Sequence, residues 1–106
     1  MNNKIESHFN KLTPAEHERL SLLMEECGEV IQVIGKIMRH GYNGYHPEDP
    51  TENNRDLLMT EIGHATCAIE MMCKAGDMTN GRIRYEVDLK SSKVKKWLHH
   101  QESTNG

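Results

Sequence analysis

Two short stretches place carboxylates at spacings that turn them into an apolar helix face: Glu25-Glu26-Cys27-Gly28-Glu29 and Glu61-Ile62-Gly63-His64. Stepping a helix at about 100° per residue with Glu26 at zero, Leu22 and Val33 fall at about −40° and −20°, and Ile37, Val30 and Leu23 at about +20° to +60°. Glu26 therefore points into the apolar stripe. Glu29 lies about 60° away, at the edge of that stripe and one turn along, while Glu25 turns toward solvent. The second stretch repeats the pattern. Leu57 and Ala68 flank Glu61 on one side, and Ala65, Met72 and Leu58 on the other; His64 lies about 60° off, beside Met71.

A carboxylate inside an apolar face costs several kcal/mol unless something compensates it. Three such carboxylates in a short chain repel one another, and a divalent cation neutralises them together. Oxygen donors favour Mg²⁺, Ca²⁺ or Mn²⁺, whereas a neutral imidazole at His64 suits Mn²⁺, Fe²⁺ or Zn²⁺ better than Mg²⁺. Salt bridges from another helix are the plainer alternative. Lys90 is a candidate for that role, because it falls within the Ile83/Val87/Val94 stripe.

The elements that must position these groups are helices. Thr13-Pro14-Ala15-Glu16 opens the first, with Thr13 as N-cap, Pro14 at the first helical position and Glu16 closing a capping box. Apolar residues then recur with a helical period from Leu20 to Met38, and Gly41 ends the run behind Arg39 and His40. Residues 41–53 hold two Gly, two Pro and two Tyr, and read as an ordered or lid-like loop. Tyr42, Tyr45, His46 and Asn53 there are candidate base or ribose contacts. A second helix starts near Asn53 or Asn54, carries Leu57, Leu58, Ile62, Ala65, Ile69 and Met72, and ends at Ala75-Gly76. A third is expected from about Asn80 to His100, and a short N-terminal helix through Ile5, Phe9 and Leu12.

These readings predict an all-α fold: a small bundle of three long helices plus the short N-terminal one, in a single domain over residues 1–101 with a disordered tail at 102–106. At 106 residues the chain buries a modest share of its surface, so completion by oligomerisation is expected. Seven Met against 5% aromatics suits packed helices better than a sandwich. A net charge of −3 gives no general attraction to nucleic acid. No segment reaches the roughly 20 apolar residues of a membrane span, and no signal peptide is legible. The three cysteines, Cys27, Cys67 and Cys73, form no CxxC pair and are expected as reduced, buried thiols of a cytoplasmic protein.

Leu23-Met24-Glu25-Glu26-Cys27-Gly28-Glu29-Val30 resembles the EExxE motif of the MazG-like nucleotide pyrophosphohydrolases, and Glu61-Ile62-Gly63-His64 stands where that family has ExxD. The resemblance runs from about Leu20 to about Leu98. It implies a homodimer or homotetramer in which acidic motifs hold Mg²⁺ and a nucleoside triphosphate is cleaved to monophosphate and pyrophosphate. Glu26, Glu29 and Glu61 are then the implied metal ligands, with Glu25 orienting or deprotonating the attacking water beside Glu26. Lys36, Lys90, Lys93 and Asn53 are candidate substrate contacts. Lys93 and Lys96 resemble basic positions that the family uses near its C-terminus. Some small relatives prefer purine deoxynucleotides such as dGTP, but no residue here decides the base. His64 departs from the family Asp. It is a ligand that moves preference toward Mn²⁺, a group supporting the ligands, or the mark of a weakened site.

Two other readings stay open. Glu61-x-x-His64 is also the ligand spacing of di-iron carboxylate bundles, and a symmetric dimer supplies the second copy such a site needs. The chain can also be a non-catalytic helical interaction module, in which the acids contribute nothing and destabilise the fold.

Overall fold

The computed structural model describes residues 9–101. The element order is α1 (Pro14–His40), β1 (Tyr45–His46), β2 (Asp49–Asn53), α2 (Asn54–Ala75), α3 (Asn80–Lys93) and a 3₁₀ turn (Val94–Trp97). Helix dominates, as the sequence predicts. The expected N-terminal helix and tail fall largely on residues 1–8 and 102–106, outside the described residues; Phe9 is fully exposed.

α1 begins where its capping signals put it. The Glu16 backbone N–H donates to Thr13 Oγ1 at 3.1 Å, and the Thr13 N–H donates to Glu16 Oε1 at 2.8 Å, so two of the donors orphaned at a helix start are satisfied reciprocally. α2 is capped by Asn53, whose Oδ1 accepts from the Asp56 N–H at 2.8 Å. It closes at Gly76, whose φ of +91° is open to glycine without strain. There the Asp77 N–H reaches back to the Met72 carbonyl at 2.9 Å and the Gly76 N–H to that of Cys73 at 3.1 Å.

Residues 41–53, expected as an ordered or lid-like loop, are ordered by a pair of short strands. They fold into an antiparallel β-hairpin that pairs Tyr45 with Asn53 and His46 with Asp49, with a bulge between Tyr45 and His46. Its base is fastened to the start of α2. The Asn54 N–H donates to the Gly44 carbonyl at 2.8 Å, the Arg55 N–H to that of Tyr42 at 2.9 Å, and the Asn54 side-chain amide to that of Gly41 at 3.0 Å. Asn54 is buried, the only buried polar residue among the described ones. Only glycine fits at position 44, because a Cβ there would stand 2.9 Å from the His40 carbonyl oxygen.

α1 and α2 pack side by side as an antiparallel pair, and the interior between them is small: Val33, Ala65, Ala68 and Met72. α3 does not lie on this pair. It has no buried residue, and it ends at Lys93 rather than near His100. The hydroxyl of Ser92 turns back onto the Leu89 carbonyl at 2.7 Å, a side-chain alternative to the helix ladder that weakens its last turn. The radius of gyration is 18.5 Å, against about 13 Å for a compact domain of this length.

The shortfall in packing has a pattern. Leu20, Met24, Cys27, Ile31, Ile34 and Met38 follow one another along α1 in alternating steps of four and three, the spacing of a coiled-coil seam. All six are exposed, with Met24 at 73%, Ile31 at 70% and Met38 at 83%. This seam lies on the side of α1 away from Val33. Cys27 and Cys67 are therefore exposed free thiols, not the buried ones expected, because they sit on outer helix faces that nothing among the described residues covers. Trp97, Val87 and Leu98 on the third helical segment are exposed in the same way.

Candidate metal centre

The antiparallel α1–α2 pair brings the middle of one helix against the middle of the other. Glu26 on α1 and Glu61 on α2 meet there, with side chains only 16% and 14% exposed. Both carboxylates sit where the helical wheel puts them, inside the apolar face. His64, one turn beyond Glu61, reaches toward the same point from a more open position, 57% exposed. Its Nδ1 lies 3.4 Å from Glu61 Oε1 and 3.7 Å from Glu26 Oε1.

The two oxygens facing that imidazole are the unusual atoms of the structure. Glu26 Oε1 and Glu61 Oε1 are shut off from solvent, yet neither is hydrogen-bonded among the described residues. The imidazole stands within ion-pair range of both without the alignment of a hydrogen bond. A buried carboxylate oxygen left unmatched costs on the order of 1–3 kcal/mol or more, so two on facing helices need a positive group between them. A protonated His64 is one such group. A divalent cation is another, and one ligand atom from each of Glu26, Glu61 and His64 falls within 4.8 Å of the others. Opposite ligands on an octahedral ion stand about 4.2 Å apart, so small side-chain rotations close the set around an ion. The residues fit a divalent cation held by two carboxylates and one imidazole, a donor set suited to Mn²⁺ as well as Mg²⁺.

The remaining expected residues fall into three groups. Glu29 is half-buried on α1, one turn nearer the hairpin, and stands outside the three-residue set; Glu25 is exposed on the adjoining face. Lys36 lies further along α1 and lines a cleft against the β-hairpin. Asn53 is occupied as the α2 N-cap. Lys90 and Lys93 are exposed on α3, away from the acids. Lys90 forms no ion pair among the described residues, so the alternative of a salt bridge from Lys90 to the buried acids is not met within one chain. The physical reason is the free course of α3: the Ile83/Val87/Val94 stripe that carries Lys90 does not dock on the pair.

The structure also assigns residues that periodicity leaves open. Tyr42 lies under the Arg55 guanidinium, 4.5 Å from the carbon to the ring centroid. Tyr45 and His46 instead line the cleft with Lys36. Arg19 and Asp77 form a two-pronged ion pair that no local pattern signals, since the partners are far apart in sequence. No family model, curated protein or solved structure matches this chain. No helix among the described residues is long and apolar enough to cross a membrane.

Proposed function

We propose that this chain is a metal-dependent nucleoside triphosphate pyrophosphohydrolase, cleaving its substrate to monophosphate and pyrophosphate. The observation that carries the reading is the pair of buried, unmatched oxygens on Glu26 and Glu61 facing His64. Glu26, Glu61 and His64 would hold a divalent ion, with Glu29 available one turn along α1. Such an ion lowers the pKa of bound water and offsets charge on the phosphoryl oxygens of an in-line displacement. Glu25, the exposed neighbour of Glu26 in sequence, would orient the attacking water or accept its proton. A triphosphate is itself strongly anionic, and Lys36 offers a cation on the hairpin side of the acids.

The working form is a homodimer or homotetramer. The exposed seam from Leu20 to Met38, the slight interior and the undocked α3 support this, because a second copy covers what the single chain leaves open. In such an assembly, Lys90 and Lys93 can be delivered to the acids of a neighbouring copy.

The test is to incubate the protein with each common ribo- and deoxyribonucleoside triphosphate, in Mg²⁺ and separately in Mn²⁺, and to resolve the products by ion-exchange chromatography. Monophosphate plus pyrophosphate is expected, and is lost in Glu26→Gln and Glu61→Gln. Diphosphate plus orthophosphate would place the cut at the wrong bond. No turnover under any condition would overturn the reading.

A further inference from the structure

The cleft that Lys36 lines lies between the last turns of α1 and the β-hairpin, and measures about 440 Å³, within the range of small-ligand sites. Its walls are held rigidly: Gly44 closes against the His40 carbonyl, and the buried Asn54 ties Gly41 and Gly44 to the start of α2. Two features of its lining are chemical. Tyr45, His40 and His46 bring aromatic rings to the lining, and a flat heterocycle stacks on such rings. Lys36 and Arg39 bring cations, and neither is ion-paired among the described residues, in a chain where acids outnumber lysines and arginines 16 to 13.

The polar groups here share one direction. Lysine and arginine side chains only donate hydrogen bonds. His46 Nδ1 already accepts from the Glu48 N–H at 3.1 Å, which leaves the hydrogen of the neutral ring on Nε2, so this side chain also offers a donor. Arg39 and His40 also meet the negative end of α1, but Lys36 stands outside its last turn, beyond the reach of that effect. The Arg39 side chain lies back along α1, with Nη1 3.6 Å from the point where a Cβ on Gly35 would stand. Lys36, the cleft residue of α1 nearest the acids in sequence, is ten residues from Glu26, about 15 Å along the helix.

We propose that this cleft seats the base of the nucleotide and selects bases that present carbonyl and ring-nitrogen acceptors over those that present an amino group. The assignment rests on the hydrolase reading for its second half, the triphosphate held at Glu26, Glu61 and His64. The rings supply stacking that any base can use. The donors supply the choice, since an exocyclic amino group facing Lys36 and Arg39 leaves donors opposed to donors.

Inosine and adenosine 5′-monophosphates test this directly, because hypoxanthine presents a carbonyl at C6 with a hydrogen on N1, adenine an amino group at C6 with a bare N1, and the two share the same N7 and N3 acceptors. Each is titrated into metal-free protein, with ring resonances of Tyr45 and His46 followed by NMR. Inosine monophosphate is expected to bind about tenfold more tightly, within the discrimination available to a two-pronged arginine contact, and to shift both rings. Arg39→Met, which keeps the stem and removes the donors, is expected to bring the ratio near one; Lys36→Met narrows it. Equal binding of the two ligands, shifts that bypass Tyr45 and His46, or a ratio unchanged in both variants would overturn the assignment. Selective binding here in a protein that cleaves no triphosphate would sink the hydrolase reading and leave the cleft as a base site.

Discussion

The Arg19 guanidinium grips both carboxylate oxygens of Asp77, Nε to Oδ2 at 2.6 Å and Nη2 to Oδ1 at 3.1 Å, and so clips the start of α1 to the turn after α2. At the other end of the pair, Asn54 fastens the β-hairpin across the end of α1. Glu26, Glu61 and His64 lie between these two ties. The register that sets the acids opposite each other is therefore fixed from both ends rather than by the acids themselves, which repel.

The clip at Arg19 is pH-dependent. The hydrogen bond from Arg19 holds the Asp77 carboxyl below its usual range, and raises the guanidinium in turn. A carboxyl with a lowered folded pKa contributes stability that is fully present above the unfolded value of about 3.9 and fades as pH falls through the folded one. Asp77→Asn is therefore expected to melt below the wild type at pH 7, with the gap closing below about pH 4. Paired thermal melts across that range check it, and a gap that widens in acid would contradict the assignment.

The buried acids predict an inversion on adding metal. Without divalent ions, Glu61→Gln relieves repulsion and should stabilise the fold by about 1–3 kcal/mol. With metal at 1,000 times its dissociation constant, the wild type gains about 4.1 kcal/mol and the variant much less, so the order of melting temperatures reverses. Melts at fixed protein concentration with chelator and with Mn²⁺ read this out. Equal gains would remove the metal centre.

His64 sets the choice of ion. Replacing it by aspartate makes the donor set all oxygen, and the preference should move from Mn²⁺ toward Mg²⁺. The measurement is the difference between Mn²⁺- and Mg²⁺-induced stabilisation in wild type and His64→Asp. No change in that difference would take His64 out of the ligand set.

Ile31 stands in the middle of the exposed α1 seam. A carboxylate there puts charge into any coiled-coil contact along it, so Ile31→Glu should lower the mass seen by light scattering, toward the 12.2 kDa of one chain. An unaltered assembly would show that copies meet elsewhere, on α3 for instance.

What the sequence by itself determined is what neighbours along the chain decide. The capping box at Thr13–Glu16, the Asn53 cap and the glycine stops at 41 and 76 are contacts within a few residues. The inward turn of Glu26 and Glu61 follows from helical period alone. The seam from Leu20 to Met38 was equally legible in its steps of four and three, although the apolar run reads first as a single wide stripe. The tertiary structure decided everything that depends on which distant groups meet. Only the antiparallel pairing of α1 with α2 sets His64 against both carboxylates and leaves Glu29 to one side. Only the hairpin within residues 41–53 assigns Tyr42 to Arg55 and Tyr45 to the cleft. α3 shows the same limit: its periodicity marks an apolar face, but whether that face docks depends on a partner surface, and α1 and α2 provide none within the chain. Local signals are encoded in spacing; long-range pairings depend on shape and charge brought together only when the chain folds.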